Sequence, residues 1–207
     1  MPPCVIVFAK APIPGRVKTR LIPLLGAERA ALLHQAFVRD ALDLLRSLPA
    51  EIELHTDVPS DAWRDAGVSS KLQIPGDLGA RMVSALTGAL AAGHPVACIL
   101  GADIPALTRG HVTDLFSRTE DLALGPAEDG GYWGIAARRV GPDMFRGVAW
   151  SSAEACRQTL EAAERCGLTT CLGTLCWDVD EPSDLKRLRT LVDLPRYTKA
   201  WVEGFAE

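Results

Sequence analysis

Val96-Ala97-Cys98-Ile99-Leu100, followed at once by Gly101-Ala102-Asp103-Ile104-Pro105, is the stretch whose reading decides the fold. Five consecutive apolar residues leave no side for water, the pattern of a strand covered on both faces at the centre of a parallel sheet. A carboxylate comes directly after it, and open α/β sheets bind ligands outside the carboxyl ends of their strands. Asp103 is therefore a candidate functional group. A turn or helix-capping carboxylate is the other reading of the same residue.

Outward from this strand, the chain alternates short apolar or alternating runs with amphipathic stretches. Toward the amino end lie a buried strand at 5–9, a long helix at 27–48 stopped by Pro49, and a half-buried strand at 51–56 that ends at Asp57. A short helix at 61–66, a short strand at 71–74 and a helix through Met82, Leu86 and Leu90 complete that half. Toward the carboxyl end the pattern predicts a helix at 109–116 and strands at 122–124 and 132–137 around the Glu128-Asp129-Gly130-Gly131 turn. A helix follows from Ser152, with Ser151 or Ser152 capping it, then a strand at 170–175 and a helix at 183–192. Strands alternating with helices predict a three-layer α/β/α fold around a mostly parallel sheet. No repeat or linker interrupts it, so residues 1–207 are expected to form one domain.

The charge balance excludes several function classes. Twenty-two basic and 26 acidic residues give a net charge of -4 without a polybasic or acidic tail, so neither nucleic acid nor a membrane surface is an expected partner, and an anion must be held by a local cluster. The apolar run at 5–9 is too short for a signal peptide or a membrane span, which predicts a cytoplasmic protein. Of six cysteines, Cys4 and Cys98 lie inside apolar strands. Cys166, Cys171 and Cys176 form no CxxC pair, so neither zinc nor a disulfide is expected.

The loop after the first strand carries Lys10, Arg16, Lys18 and Arg20 among Pro12, Pro14 and Gly15. Proline stiffens the backbone and Gly15 permits a tight turn, so the loop is suited to present several cations to one phosphate or diphosphate; a solvated loop is the alternative. Lys18-Thr19 lacks the glycines of a P-loop, and no GxGxxG follows the strand. Gly76-Asp77-Leu78-Gly79-Ala80-Arg81-Met82 opens a helix whose amino end could meet an anion. There Asp77 either caps the helix or does more, and Arg81 would add a fifth positive group if the two segments converge.

Asp178 and Asp180, at i and i+2 beyond another strand, fall on one side of an extended backbone. A hard cation such as Mg2+ takes oxygen ligands, so Asp103 with one of this pair would suffice once phosphates complete the shell. Asp180 is the preferred second ligand, against a helix-capping role. Asp129-Gly130-Gly131 is either a tight hairpin or a backbone cradle for a sugar or other acceptor, and Trp150 is either an aromatic wall or core filling. The four histidines fall at unrelated places: His34 in the first helix, His55 in a half-exposed strand, His94 and His111 at or in later helices. No GxSxG elbow is present, which disfavours serine hydrolase chemistry.

Taken together, the segments 8–21, 76–82, 100–105, 129–132, 150–151 and 178–185 resemble a bacterial family described as DUF2064 or glycosyltransferase-like, within the nucleotide-diphospho-sugar transferase superfamily. The resemblance covers about residues 4–190 in the same order. It implies a GT-A type fold in which the loop from Lys10 to Arg20 approaches the phosphates, and the helix entry with Gly79 and Arg81, read above as an anion site, is expected to join it there. Lys18, Asp103 and Asp129 then stand as catalytic residues. Asp103, with Asp180, would bind Mg2+ or Mn2+, and Asp129, Gly130, Gly131 and Trp150 would face the sugar or acceptor. Gly101 replaces the first acidic residue of the GT-A DxD element. The expected activity is glycosyl transfer from a nucleotide sugar to a small-molecule acceptor. The alternatives are nucleotidyl transfer from an NTP to a phosphorylated small molecule, resembling guanylyltransferases, and nucleotide binding without turnover.

Overall fold

The computed structural model describes residues 1–204. In chain order they form β1 (Cys4–Ala9), a 3-10 turn (Thr19–Leu21), α1 (Ile22–Leu25), α2 (Ala27–Leu45), β2 (Glu51–Thr56), a second 3-10 turn (Asp61–Trp63), β3 (Ser69–Leu72), α3 (Leu78–Ala91), β4 (Ala97–Leu100) and α4 (Arg109–Ser117). The β5 (Leu122–Pro126) and β6 (Tyr132–Ala137) pair follows, then α5 (Ala155–Arg165), β7 (Thr170–Leu172), α6 (Pro182–Arg189) and α7 (Arg196–Gly204).

The strands make one seven-stranded sheet in the order β3-β2-β1-β4-β6-β5-β7. β1 pairs in parallel with both β2 and β4, β2 with β3, and β5 with β7; β6 alone runs antiparallel, against β4 and β5. The carboxyl ends of β1, β4 and β7 therefore share one edge of the sheet, and the amino end of β6 joins them there.

Alternation along β1 shows why the sheet is covered twice. Val5 and Val7 enter one core with Val38, Leu42 and Leu45 of α2, whereas Cys4 and Ile6 enter the opposite core with Met82, Leu86 and Ala89 of α3. In β4, Cys98 and Leu100 belong to the first core and Ala97 and Ile99 to the second. A third core joins Leu33 and Phe37 of α2 to Trp177, Val179, Leu185, Leu188 and Trp201. It fastens the segment after β7 to the outer face of α2.

Several elements differ from the sequence expectation. The predicted 61–66 helix is a single 3-10 turn, and β3 begins two residues early and ends at Leu72. α5 begins at Ala155 with no side-chain cap: the Ser152 hydroxyl accepts instead from the Glu154 amide (3.3 Å), spending itself in a local turn before the helix. β7 stops at Leu172, ahead of Gly173, and α6 covers only Pro182–Arg189. His55 is buried rather than half-exposed and lies 2.7 Å from Glu53. α7 was not anticipated at all. Its first amides, at Tyr197 and Thr198, donate to the carboxylate of Asp40 on α2 (2.8 and 2.7 Å), a cap supplied from 157 and 158 residues away.

Candidate active site

The geometry of the basic loop is set by two apolar anchors. Val17 and Leu21 are both buried, and the backbone between them turns through Lys18 at φ 46°, ψ 44°. A left-handed non-glycine residue is uncommon; here it turns the Lys18 side chain inward, where only 6% of it is exposed. Its ammonium donates to Asp103 Oδ2 at 2.6 Å and lies 3.6 Å from Asp180 Oδ1. Arg20 donates to Asp180 Oδ2 at 2.8 Å. The ends of β1 and β4 and the segment after β7 thus meet at one cation. Their backbones are tied as well, because the Val179 amide donates to the Asp103 carbonyl (3.0 Å).

The electrostatics follow from this contact. Burial alone would push the Lys18 pKa down, but the charge and hydrogen bond of Asp103, then Asp180 and Asp178, outweigh it and hold it above the ordinary lysine value. Burial would likewise raise Asp103, and Lys18 overrides it, keeping that carboxyl below the usual range. At Asp178 the Lys18 charge is too weak to offset burial. Burial, reinforced by the charges of Asp103 and Asp129, pushes it up to about 6.

A cleft of about 180 Å³ opens beside Asp103, walled by Asp129, Tyr132, Trp150, Ser151 and Asp178. Asp129 accepts from the Gly131 amide at 2.8 Å. Gly130, at φ +86°, could not be another residue: a Cβ there would lie 2.1 Å from the Ala153 carbonyl oxygen. That close approach, with the Cys156 amide donating to the Gly130 carbonyl (3.0 Å), locks the turn against the entry to α5. Trp150 forms a wall of the cleft while packing edge-on against Phe145, with ring centroids 5.6 Å apart. Ser151 has φ 61°, and among the described residues it and Lys18 are the only non-glycine positions with positive φ. Both strained residues border the same site.

The remaining sequence candidates fall at varying distances from this centre. Arg16 lies 3.6 Å from Asp57, whose carboxylate also accepts from the Ala11 amide (2.7 Å), so the strand-end aspartate fastens the basic loop. Gly15 adopts φ +83° in open space. Lys10 is exposed, and its carbonyl accepts from His34 Nε2 (3.0 Å). Burial lowers the pKa of that histidine. Asp77 caps α3, accepting from the Ala80 amide at 2.8 Å. Gly79 serves packing, since a Cβ would come within 3.0 Å of Phe145 and 3.2 Å of Trp150.

Arg81 corrects the expectation of convergence. Its Nε donates to the Gly76 carbonyl (2.9 Å) and its Nη1 to Gln73 (3.3 Å), and it lines a separate cavity with Glu53, His55 and Lys71. Its own helix entry holds it there, away from the Lys18–Asp103 contact. The contact of His34 with the Lys10 carbonyl and the left-handed backbone of Ser151 were not expected from the sequence. A lone helical histidine carries no signal, and nothing in Trp150-Ser151 announces a left-handed backbone.

Among the described residues no three His, Cys, Asp or Glu side chains form a ready-made metal cage. Asp103 and Asp180 nevertheless already converge on one positive centre, the Lys18 ammonium. Two hard oxygen donors with phosphate oxygens completing the shell suit Mg2+ or Mn2+, so the residues present fit such an ion. Among the described residues no helix is long and apolar enough to cross a membrane.

Comparison with known proteins agrees with this architecture. Residues 32–152, more than half of the chain, match the family described as "Uncharacterized protein conserved in bacteria (DUF2064)". A 2-phospho-L-lactate guanylyltransferase of Methanocella arvoryzae is 31% identical over 187 residues, covering 86% of this chain and 79% of that protein. Another 2-phospho-L-lactate guanylyltransferase, from Halomicrobium mukohataei, is 29% identical over 170 residues, covering 81% and 77%. A crystal structure from Desulfovibrio desulfuricans, provisionally named a nucleotide-diphospho-sugar transferase, superimposes with a TM-score of 0.87 at 32% identity over 99% of this chain and 95% of that one. The fold is accordingly the α/β fold of the nucleotide-diphospho-sugar transferases. By its sequence match and its sheet, the chain belongs to the DUF2064 family.

Proposed function

We propose that this protein is a nucleotidyltransferase that joins the nucleotidyl group of a nucleoside triphosphate, GTP foremost, to a small phosphorylated acid, releasing pyrophosphate. The observation that carries this reading is the buried Lys18 ammonium between Asp103 and Asp180, at the mouth of a cleft walled by further carboxylates. The guanylyltransferase names of the two aligned relatives add support. The glycosyl reading has less behind it: Gly101 stands where the first DxD carboxylate would be, and neither of those relatives is named a glycosyltransferase.

In the proposed reaction an oxygen of the acceptor phosphate forms a bond to the α-phosphorus. The bond from that phosphorus to the bridging oxygen breaks, and its electron pair leaves with pyrophosphate. A phosphate monoester, with a second pKa of about 6, is already largely ionised at neutral pH and needs no general base. Asp129 then orients the acceptor instead of removing a proton. Lys18 and Arg20 stabilise the charge that grows on the leaving pyrophosphate, and Lys10 and Arg16 extend the positive loop. A triphosphate entering the site competes with Asp103 for the Lys18 ammonium. Asp103 and Asp180 would hold Mg2+ or Mn2+, which supplies charge neutralisation across the phosphates when bound. Gly130, Gly131 and Trp150 give the acceptor a rigid, partly apolar wall. The test is product analysis by mass after incubation with an NTP, Mg2+ and a phosphorylated hydroxy acid, run beside nucleotide sugars.

A further inference from the structure

Asp129 and Asp178 face the same cleft from different segments, and the residue before each is held by a single side chain of α6. Arg187 forks onto Glu128, with Nη1–Oε2 at 2.6 Å and Nη2–Oε1 at 2.9 Å. Its guanidinium also lies 4.2 Å above the Trp177 ring centroid. Trp177 is 7% exposed and packed in the third core, so the platform itself is fixed. The two backbones are joined beneath the clamp: the Glu128 amide donates to the Cys176 carbonyl and the Cys176 amide to the Pro126 carbonyl, both at 3.0 Å. An isolated exposed ion pair contributes little. A bidentate fork combined with a stack on a buried indole fixes both the distance and the plane of the guanidinium, which a lysine cannot do.

We propose that Arg187 is a positioning residue that sets the spacing of Asp129 and Asp178 across the cleft by clamping Glu128 and Trp177. The clamp holds the turn at 127–131 against the segment at 176–179, and the acceptor is oriented between them. What the cleft does with that spacing rests on the nucleotidyltransferase reading; the clamp itself does not.

The test uses the full chain with Arg187→Gln, Arg187→Lys, Glu128→Gln and the double variant Glu128→Gln/Arg187→Gln. Hydrogen exchange is followed at the Glu128 and Gly131 amides, together with melting, GTP affinity, and kcat and KM for the acceptor. Arg187→Gln should speed exchange at both amides about fivefold or more and lower kcat about tenfold, with GTP affinity kept within about twofold. Arg187→Lys should recover less than half of the lost rate, and the double variant should be no worse than the single ones. Unchanged exchange, a parental kcat despite faster exchange, or additive effects in the double variant would each overturn the clamp. So would a loss of GTP affinity in step with kcat, which marks general structural damage. If Arg187→Gln fails to fold, Glu128→Gln carries the same comparison. If the parent turns over no donor and acceptor, the nucleotidyltransferase reading fails, and the exchange measurements alone decide for or against the clamp.

Discussion

Lys18 and Asp103, 85 residues apart in the chain, are joined at 2.6 Å by a hydrogen-bonded ion pair whose lysine is buried and whose aspartate faces the cleft. The pair sets a positive charge next to a carboxylate, and each keeps the other ionised in a site that burial would otherwise neutralise.

Lys18→Ala should weaken binding of a nucleoside triphosphate more than that of the bare nucleoside, since a charge-assisted contact contributes about 1.5–3 kcal/mol. Calorimetry on both ligands checks this. Equal losses for the two would assign Lys18 to folding or base recognition.

Asp103→Asn keeps the shape of the side chain and removes the charge. Turnover is expected to fall about 100-fold or more while the fold, followed by circular dichroism, persists. Triphosphate affinity should also cease to respond to added Mg2+. A variant with the parental rate and magnesium response would reduce Asp103 to a turn-former.

The turn that carries Asp129 gives a contrast between two glycines. Gly130→Ala meets the Ala153 backbone, and at φ +86° it is strained as well, whereas Gly15→Ala at φ +83° meets nothing within 4 Å. Urea unfolding should show a loss of about 1–2 kcal/mol for Gly15→Ala, from backbone conformation alone. Gly130→Ala should lose clearly more, and similar losses at the two positions would deny the close approach to Ala153.

Acid stability should depend on Glu53. Burial works to raise its pKa, but hydrogen bonds from Lys71 and His55, with their charges, outweigh it and hold the carboxyl below the usual glutamate range. A depressed carboxyl stabilises the fold above the unfolded value, and that stability is lost as pH falls through the folded value. The protein should therefore lose stability below about pH 4.5 more steeply than Glu53→Gln, as measured by urea unfolding from pH 3 to 7. Parallel pH curves would show that this buried carboxylate is not coupled to folding.

The parts of the fold and site that were legible in the sequence are those written in local pattern. The two-sided apolar run at 96–100 announced β4, and Asp103 followed because strand ends are where α/β sheets bind. The proximity of Lys18 and Asp180 to it was inferable from topology, since all three lie beyond strands that run the same way. Side-chain direction was not legible. Arg81 sits at a suitable helix entry yet turns to Gln73 and Gly76, a choice made by its neighbours in space. α7 escaped notice for a similar reason. Its cap is Asp40, far away in sequence, and its buried face, Thr198 and Trp201, is too short a pattern to read alone. Clamps such as Arg187 on Glu128 join positions 59 residues apart with no shared motif.

Nucleotidyl transfer is tested most directly by mass analysis of the products formed from GTP, Mg2+ and 2-phospho-L-lactate or a related phosphorylated acid, with pyrophosphate release followed in parallel. The expected result is a product carrying the guanylyl group joined to the acceptor phosphate, one pyrophosphate per product, and loss of both in Asp103→Asn. Transfer of a sugar from a nucleotide sugar with release of a nucleoside diphosphate, and no guanylylated product under any acceptor, would contradict it.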